Sequence, residues 1–287
     1  MITNNTPSTM IERSIIEYLL AEQFNAAVRA GAVIMSIYKH SDDYDISLKS
    51  DHTPITIADR MAHATIKEAL GRTRIPILSE EGREMLYEER KNWELFWLVD
   101  PLDGTVEFIK GNNEFTVNIA LMENNHCITS VVYVPYHHKM YVAERDGGAW
   151  LITDIEASAE ASYSYDDIVS RRQSLPLATS SHTTFRVAVS RSHQTSETHQ
   201  HIEELRTTHP NLEIIEQGSS YKFCLLAEGT VDYYVRTSTT SEWDTAAGEL
   251  LLHEAGGVTL SYPSNEALRY NKEELDNPWF IAYCRFT

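Results

Sequence analysis

The sequence predicts an α/β protein, with an antiparallel sheet flanked by helices in its first half and alternating strands and helices in its second. Three observations indicate this class. Helical periodicity dominates the first 70 residues. Short apolar runs then follow one another closely between residues 95 and 143, which is typical of a meander of strands. From residue 186 onward, strand and helix patterns alternate, as they do in an α/β unit.

The N-terminal region contains three predicted helices and a polar connection. Thr9 and Glu12 have the spacing of a capping box, and apolar residues continue at helical spacing to residue 19. A second helix is predicted over residues 21–38. The polar segment 49–56 predicts a loop or a short hairpin, and residues 56–70 predict a helix that ends at a glycine.

Strands dominate the next part of the chain, and both element types alternate after it. The predicted strands of the first half cover residues 75–78, 95–99, 115–121, 128–134 and 139–143. The second half is predicted to contain strands at 186–190, 212–216 and 231–235, and helices at 199–208, 220–228 and 245–255.

A change of composition separates the two halves. Residues 153–184 are rich in Ser, Ala, Thr and acidic residues and show little periodicity, which indicates a boundary with a long surface loop. We therefore divide the chain into an N-terminal α+β half, residues 1–152, and a C-terminal α/β half, residues 153–287.

Composition and charge limit the function. The chain has 287 residues and a net charge of −18, which argues against a nucleic-acid polymer as partner. A small phosphorylated ligand remains compatible, because metal ions can supply local positive charge. The first ten residues lack a signal-peptide pattern, and no apolar run approaches the roughly 20 residues of a membrane span. Three cysteines without metal-type spacing indicate reduced thiols, so we expect a cytoplasmic protein.

A predicted buried strand ends abruptly in two carboxylates. The apolar run to Val99 leads directly into Asp100 and Asp103. The proline after Asp100 stiffens the turn, and the glycine after Asp103 permits the tight backbone geometry that leads to Thr105. Two carboxylates held this close would repel each other unless a cation lay between them. A hard divalent cation, which takes oxygen ligands, suits this arrangement. A plain Asp/Pro/Gly turn is the alternative from these residues alone.

Further acids stand at the ends of predicted elements. They are Asp59, Glu80, Glu81 and Asp244. Each has a simple alternative: Asp244 could be a helix N-cap, Glu80 and Glu81 a solvated turn, and Asp59 a side chain facing water. If they converge with Asp100 and Asp103, a carboxylate site for two or more Mg²⁺ ions follows, because buried acids are costly unless paired or metal-bound.

Several motifs together resemble one known superfamily. They are Asp100-Pro101-Leu102-Asp103-Gly104-Thr105, Trp243-Asp244, Glu80-Glu81, Glu107-Phe108-Ile109-Lys110, Ser190-Arg191-Ser192-His193 and Gly218-Ser219-Ser220-Tyr221-Lys222. The chain is similar to the lithium-sensitive, Mg²⁺-dependent phosphatases that include inositol monophosphatase and fructose-1,6-bisphosphatase. Within that superfamily the resemblance is closer to the bacterial CysQ-type 3'(2'),5'-bisphosphate nucleotidases. It spans nearly the whole chain from residue 49 onward.

The resemblance implies a fold and an activity. The fold is an αβαβα-layered sandwich, the sugar-phosphatase or inositol monophosphatase-like fold. The activity is Mg²⁺-dependent hydrolysis of adenosine 3',5'-bisphosphate to AMP and phosphate, which clears a by-product of sulfate assimilation. Peripheral attachment to the inner face of the cell membrane has been assigned to some members. The oligomeric state is left open, with a homodimer among the states allowed.

The resemblance also implies roles for single residues. The metal ligands are the carboxylates of Glu80, Asp100, Asp103 and Asp244 and the backbone carbonyl of Leu102. Asp59 and Thr105 would orient and deprotonate the attacking water, and Glu81 would support the site or bind an additional metal. Substrate contacts are expected from Gly104, Ser190, His193, Gly218, Lys222 and Arg236.

Lys222 is the expected contact of the 5'-phosphate. From the residues alone, His193 is better explained as a surface-loop histidine than as a substrate contact. For Arg236, a structural ion pair explains the residue as well as a phosphate or base contact does. Lys49 and Asp51 match a K-x-D pattern of the family.

Two features depart from the family pattern, and two alternative functions stay open. Val106 replaces a lysine that many CysQ sequences carry after D-G-T, and the segment 153–184 is extended. An inositol or other sugar monophosphatase would share the same metal core, and a non-catalytic metal- or nucleotide-binding protein could keep the fold. The histidine pairs 137/138 and 199/201 lack zinc-type spacing, so we interpret them as surface residues.

Overall fold

The computed structural model describes residues 11–40, 46–48, 54–177 and 184–284. Its helices are α1 (Arg13–His40), α2 (Ile57–Gly71), α3 (Tyr87–Arg90), α4 (Thr105–Lys110), α5 (Tyr165–Ser170), α6 (Ser196–Thr208), α7 (Tyr221–Glu228) and α8 (Glu242–Glu254). Its strands in the first half are β1 (Ser47–Leu48), β2 (Pro54–Ile55), β3 (Ile77–Ser79), β4 (Leu95–Asp103), β5 (Thr116–Glu123), β6 (His126–Val134), β7 (Lys139–Glu144), β8 (Gly148–Ile152) and β9 (Gln173–Ser174). The remaining strands are β10 (Phe185–Ser190), β11 (Leu212–Gln217), β12 (Tyr233–Arg236), β13 (Gly257–Ser261) and β14 (Phe280–Cys284).

Two larger sheets organise these elements. The first has seven strands in the order β3-β4-β5-β6-β7-β8-β9, with β3 parallel to β4 and every other neighbouring pair antiparallel. The second has five strands in the order β11-β10-β12-β14-β13. Its strand β10 is parallel to both β11 and β12, and the pairs of β14 are antiparallel. The strands β1 and β2 form a separate short hairpin, as the polar segment before α2 predicted.

The sheets and helices stack in five layers. Helices α1 and α2 cover one face of the seven-stranded sheet, while α7 and α8 lie between the two sheets. Helix α6 covers the outer face of the five-stranded sheet. Strand β4 shows why both faces need cover: Trp97 and Val99 pack toward α1, and Phe96 and Leu98 pack toward α8. The predicted αβαβα sandwich is confirmed.

The N-terminal prediction of two helices was wrong. Residues 13–40 form one continuous 28-residue helix, because no proline interrupts the sequence between the two predicted segments and Leu19, Leu20 and Ala21 are all buried. The proposed capping residue Thr9 lies outside the described residues. Helix α2, in contrast, begins and ends within one residue of its prediction.

The described part of the segment 153–184 is more ordered than a surface loop. It contains α5 and β9, and it buries Ile155, Ala161 and Ile168 in the same core as α1. Isolated apolar residues without periodicity hid this packing from sequence analysis. Because β9 pairs with β8, the first sheet continues past residue 152. The division of the chain into halves at that residue stays a prediction.

Two further observations concern the cysteines and the hydropathy of the helices. Cys127, Cys224 and Cys284 are free thiols. Although α1 is long, neither it nor any other helix in the described ranges is apolar enough to cross a membrane.

Candidate active site

A cleft of about 650 Å³ opens where the edges of the two sheets meet. Both halves of the chain line it, and it contains most of the residues that the sequence singled out. Those residues are Glu80, Asp100, Leu102, Asp103, Gly104, Thr105, Ser190, His193, Lys222, Arg236 and Asp244.

A β-bulge sets the direction of the two carboxylates after the buried strand. In the pairing of β4 with β5, Asp100 stands opposite Asn118 and Asp103 opposite Thr116, so β4 has one extra residue in this interval. Without the bulge, residues three apart on a strand would point to opposite faces. With it, Asp100 and Asp103 lie on the same face.

Glu80 reaches the same place from the neighbouring strand. Because β3 and β4 are parallel, their carboxyl ends meet at one edge, where the Glu80 N–H donates to the Val99 carbonyl over 3.1 Å. Burial raises the pKa of Asp100 well above its ordinary value, and the nearby carboxylate of Glu80 raises it further, followed by those of Asp103 and Asp244. The acids therefore share one strongly negative environment.

Asp244 enters the cleft from the first turn of α8. The alternative role of Asp244 as the helix N-cap was wrong: Ser241 is the N-cap, and Asp244 is the third residue of the helix. It accepts the Ser241 N–H at Oδ2 over 2.8 Å, which completes a capping box. This bond holds the side chain in place beside the other acids. Burial raises its pKa well above the ordinary value, and the carboxylates of Asp103 and Glu80 add to the effect.

Asp103 is held by the second half of the chain. Its Oδ2 accepts the Ser220 N–H at the start of α7 and, over 3.3 Å, an amide hydrogen from Asn118. Burial raises the pKa of Asp103, while the ammonium of Lys222 opposes that shift. Asp103, a candidate metal ligand in the first half of the chain, is thus oriented by the Ser220 N–H from the second half.

The donor set suits a hard divalent cation. The oxygens come from four carboxylates and from the Leu102 carbonyl, which also accepts the Thr105 hydroxyl over 3.3 Å. Among the described residues, no three His, Cys, Asp or Glu side chains already form a metal-binding cluster. The raised pKa values of Asp100 and Asp244 show the electrostatic strain that a bound cation would relieve. Oxygen donors without sulfur or imidazole suit a hard divalent cation such as Mg²⁺.

Asp59 and Thr105 form a partly buried hydrogen bond, and Thr105 lines the cleft together with the acids. The Thr105 Oγ1 donates to Asp59 Oδ1 over 2.8 Å. The other carboxylate oxygen accepts the backbone N–H of Thr56 over 2.7 Å, within the capping box that begins α2. Asp59 is 2% exposed, so the alternative of a water-facing side chain is wrong.

Lys222 also lines the cleft and is almost fully buried. Its Nζ donates to the carbonyls of Gln217 over 3.0 Å and Ser219 over 2.6 Å, and it lies 5.2 Å from the centre of the Tyr234 ring. Burial, followed by the charge of Arg236, lowers the pKa of Lys222 to about 7. Two of the three ammonium hydrogens are therefore used to hold the turn before α7.

Arg236 provides a second cation on the same wall. One terminal nitrogen donates to the Thr239 carbonyl over 3.2 Å, and the buried Nε has no hydrogen-bond partner. Within the described part of the chain it forms no ion pair with a carboxylate, so the structural ion pair that sequence analysis left open is not observed there.

The other predicted substrate contacts are distributed unevenly. Ser190 is buried on the cleft wall and accepts the His193 N–H over 3.2 Å, while His193 itself is exposed at the same wall. Gly218 does not line the cleft; its N–H donates to Glu114 Oε2 over 2.7 Å. Glu81 is half-buried and also lies outside the lining. Lys49 and Asp51 fall outside the described residues.

One of the histidines assigned to the surface was misplaced. His201 is 9% exposed, its Nε2 is 2.9 Å from the Tyr233 hydroxyl, and its ring contacts Tyr262. It lies on the inner face of α6, where helical periodicity could have indicated burial. His137 and His199 are exposed and His138 is half-buried.

Comparison with known proteins assigns the chain to a family. Residues 16–278 match the inositol monophosphatase family. The chain belongs to this family. Among its curated members, the 3'(2'),5'-bisphosphate nucleotidase CysQ of Salmonella typhimurium is 39% identical over 87% of this chain and 96% of its own length. The protein of the same name from Escherichia coli K12 is 37% identical over 91% of this chain and 98% of its own.

Two solved structures agree with this assignment. CysQ from Bacteroides thetaiotaomicron superposes with a TM-score of 0.87 at 42% identity, covering 95% of this chain and 99% of that chain. The suppressor protein SuhB of Bartonella henselae superposes with a TM-score of 0.72 at 24% identity over 94% of this chain and 95% of its own, a likeness of fold alone. The inositol monophosphatase family consists of metal-dependent phosphatases, and the acidic cleft provides the oxygen donors that such enzymes need.

Sequence reasoning overlooked two carboxylates near this family's site. Glu107 is 3% exposed and lines the cleft two residues after Thr105, and Glu114 accepts the backbone N–H of Gly218. Both residues stand within the motifs that carry the family resemblance, but nothing in their local pattern distinguishes them from solvent-exposed glutamates of a short helix and a loop.

Proposed function

We propose that the chain is a 3'(2'),5'-bisphosphate nucleotidase that hydrolyses adenosine 3',5'-bisphosphate to AMP and phosphate with Mg²⁺ as cofactor. One observation supports this most: a single cleft is lined by the acids around Asp100, by Thr105 and by the cations Lys222 and Arg236. Asp59 lies behind this lining, where it accepts the Thr105 hydroxyl. The identities of 37–39% with the CysQ nucleotidases point to the same substrate.

The carboxylates of Glu80, Asp100, Asp103 and Asp244, with the Leu102 carbonyl, are proposed to hold two or three Mg²⁺ ions. Glu81 is the proposed additional ligand or support of that site. When bound, the ions supply positive charge that stabilises the phosphoryl oxygens and lowers the pKa of water. The protein contributes the fixed placement of the donors: the β4 bulge, the capping box of Asp244 and the Ser220 N–H on Asp103.

Asp59 and Thr105 are proposed to orient the attacking water and remove its proton. The Thr105 hydroxyl uses its hydrogen on Asp59, and Thr105 lines the cleft, so its oxygen is proposed to accept a water hydrogen. A proton taken by Thr105 Oγ1 can pass to Asp59 Oδ1 along the existing 2.8 Å hydrogen bond. The bond from the Thr56 N–H keeps the Asp59 carboxylate from rotating away.

The cationic wall is proposed to bind the phosphate that is not hydrolysed. The guanidinium of Arg236 lines the cleft and is anchored by the Thr239 carbonyl at one terminal nitrogen, so its other terminal N–H groups can donate to an anionic oxygen. The third hydrogen of the Lys222 ammonium is available to the same anion, whose charge would raise the lowered pKa of Lys222. Ser190, His193 and Gly104 complete the proposed nucleotide contacts.

The two alternatives are weaker for structural reasons. A sugar monophosphatase would be favoured if the loops at 190–193 and 218–222 packed away from the acids, but Ser190, His193 and Lys222 all line the same cleft. A non-catalytic binding protein would not need the Asp59–Thr105 hydrogen bond. A cytoplasmic location, a role in clearing a by-product of sulfate assimilation and a homodimer stay predictions.

A phosphate-release assay tests the proposal. Adenosine 3',5'-bisphosphate, its 2',5' isomer and inositol 1-phosphate are compared with and without Mg²⁺, with EDTA as the metal-free control. We expect the highest kcat/KM for one of the two bisphosphates and no activity in EDTA. A higher kcat/KM for inositol 1-phosphate would establish the sugar phosphatase instead, and no release from any substrate would favour the binding protein.

A further inference from the structure

We infer that Glu107 and Glu114 are positioning residues that fix the two substrate-facing loops of the second half onto the segment that carries Asp103 and Thr105. This inference rests on the proposed nucleotidase function and extends it to two residues that do not themselves carry out the chemistry. The loops concerned are residues 190–193, called here the SRSH loop, and residues 217–220, called here the GSS turn.

Glu107 holds the SRSH loop. It lies in the first turn of α4, where its Oε1 accepts the Ser192 hydroxyl over 2.7 Å. Lys110, one turn later on the same helix, donates to the same hydroxyl oxygen over 3.3 Å. Two residues of α4 thereby hold Ser192, although Ser192 and Glu107 are 85 positions apart in sequence.

Glu114 holds both loops at once. Its carboxylate accepts two hydrogen bonds from the Arg191 guanidinium, at 2.8 Å from Nε and 2.7 Å from Nη2. The same Oε2 accepts the Gly218 N–H over 2.7 Å. Arg191 also donates to the carbonyl of Glu216, the residue just before the GSS turn, over 2.6 Å, so that the SRSH loop is linked to the strand that leads into that turn. A bidentate arginine–carboxylate pair fixes orientation as well as distance.

Gly218 explains why the GSS turn can approach the side chains of Glu107 and Glu114 so closely. A Cβ atom at this position would lie 2.4 Å from Glu107 Cγ and 3.0 Å from Glu114 Cβ. Only glycine therefore lets the backbone lie between the two glutamate side chains. We assign Gly218 to this packing, as its absence from the cleft lining indicates.

The two contacts determine where the substrate-facing groups lie. The SRSH loop carries Ser190 and His193, and the GSS turn leads into Lys222, whose ammonium holds that turn from the other side. The segment from Asp103 to Glu114 carries the acids and Thr105. The glutamates thus set the distance between the scissile phosphate and the contacts for the rest of the nucleotide, which should affect substrate binding more than the chemical step.

The first experiment measures KM and kcat separately for Glu107→Ala and Glu114→Ala with adenosine 3',5'-bisphosphate. Loss of a charged hydrogen bond predicts a KM about tenfold higher or more, with kcat and the half-saturating Mg²⁺ concentration changed less than about threefold. Glu107→Gln keeps an acceptor for Ser192 and is expected to restore most of the KM. Glu203→Ala, which removes an exposed glutamate paired with Arg206 on α6, is the matched control.

The second experiment approaches each contact from its partner, so that a poorly folding glutamate variant does not decide the matter. Ser192→Ala and Arg191→Ala are expected to raise KM as their glutamate partners do. In the double variants, which combine Glu107→Ala with Ser192→Ala or Glu114→Ala with Arg191→Ala, KM should rise no further than in the more affected single variant. The reason is that both substitutions remove the same contact. KM values within twofold of the wild type in all four single variants would overturn the inference. So would equal losses in kcat or in Mg²⁺ dependence, since those would place the effect on the metal site. Failure of the proposed function is a different result: the wild-type chain would not hydrolyse the bisphosphate at all.

Discussion

Thr105 donates a hydrogen bond to Asp59 over 2.8 Å, although the two residues are 46 positions apart in sequence and stand in the first turns of two different helices. Both helix starts are needed for it: the capping box of α2 fixes the Asp59 carboxylate, and the left-handed Gly104 (φ 91°) turns the chain so that Thr105 can face it. The chemistry of the cleft therefore depends on how two local structures meet.

Removal of either member of this pair should slow the chemical step. For Asp59→Asn and Thr105→Ala we expect kcat for adenosine 3',5'-bisphosphate to fall by about 10²–10⁴-fold, the contribution of a positioned proton acceptor, with KM little changed. Steady-state kinetics with saturating Mg²⁺ measures both. Thr105→Ser keeps the hydroxyl and serves as the control. A kcat within threefold of the wild type in Asp59→Asn would contradict the assigned role.

Neutralising one acid of the cleft should have opposite effects on activity and on stability. Asp100→Asn and Asp244→Asn are expected to lower the rate at least about thirtyfold, the minimum for a lost metal ligand. In EDTA the same variants should melt at a higher temperature than the wild type, because burial and mutual repulsion raise the pKa of both carboxyls and make their charged forms unfavourable. Asp166→Asn, on the exposed face of α5, is the control. Normal turnover in either folded variant would remove the metal-site assignment.

The cationic wall should discriminate between substrates with and without a second phosphate. Lys222→Ala and Arg236→Ala are expected to lose about ten- to a hundredfold in kcat/KM for adenosine 3',5'-bisphosphate, mostly through KM. The loss for 3'-AMP should be much smaller, because it lacks the 5'-phosphate. Equal losses on the two substrates would show that the residue does not contact that phosphate. For Lys222, such a result would leave only its role in holding the turn before α7.

The stability of the protein should fall as pH rises through the titration of Glu249. Burial raises the pKa of this carboxyl to about 7, despite the hydrogen bond from Tyr270. The folded state thus binds a proton between the unfolded pKa of 4.5 and about 7 that the unfolded state releases, so stability is lost across this interval and stays low above it. Glu249→Gln should increase the free energy of unfolding at pH 8 by an amount on the order of 1–3 kcal/mol and leave it unchanged at pH 4.5. Denaturant unfolding at both pH values, with Glu203→Gln as control, checks this, and an equal effect at both would contradict it.

Two glycine substitutions should change stability in opposite directions. A Cβ at Gly248, where α8 packs on α7, would lie 2.5 Å from the Phe223 ring, so we expect Gly248→Ala to destabilise the protein by about 1–3 kcal/mol. At Gly71, the last residue of α2, a Cβ would meet no atom within 4 Å, and Gly71→Ala should stabilise by about 0.4–1 kcal/mol. Denaturant midpoints measure both. If Gly248→Ala were as stable as Gly71→Ala, the close packing of α7 on α8 would be wrong.

The sequence by itself determined the features that arise from neighbouring residues. The apolar run that ends at Asp100, the turn to Thr105 and the helix from residue 56 to 70 follow from side-chain periodicity and turn residues, which act over a few positions. The acids, the hydroxyl and the cations of the cleft could be named because they stand at the ends of such elements or in motifs. The same rules missed the strands β13 and β14 and divided α1 into two. Short segments, and long segments without glycine or proline at their true ends, contain few residues that mark where an element begins or ends.

Only the tertiary structure decided how these residues face one another. The register of β4 on β5 puts Asp100 and Asp103 on one face. The start of α8 makes Asp244 the third residue of the helix, whose side chain closes a capping box, rather than the N-cap itself. The contacts of Glu114 with Gly218 and of Asp103 with Ser220 join positions more than 100 residues apart. Strand register and the docking of one sheet on another depend on the packing of the whole core, whereas periodicity records only which side of an element is apolar. For that reason the chemical groups were readable in the sequence, and their geometry was not.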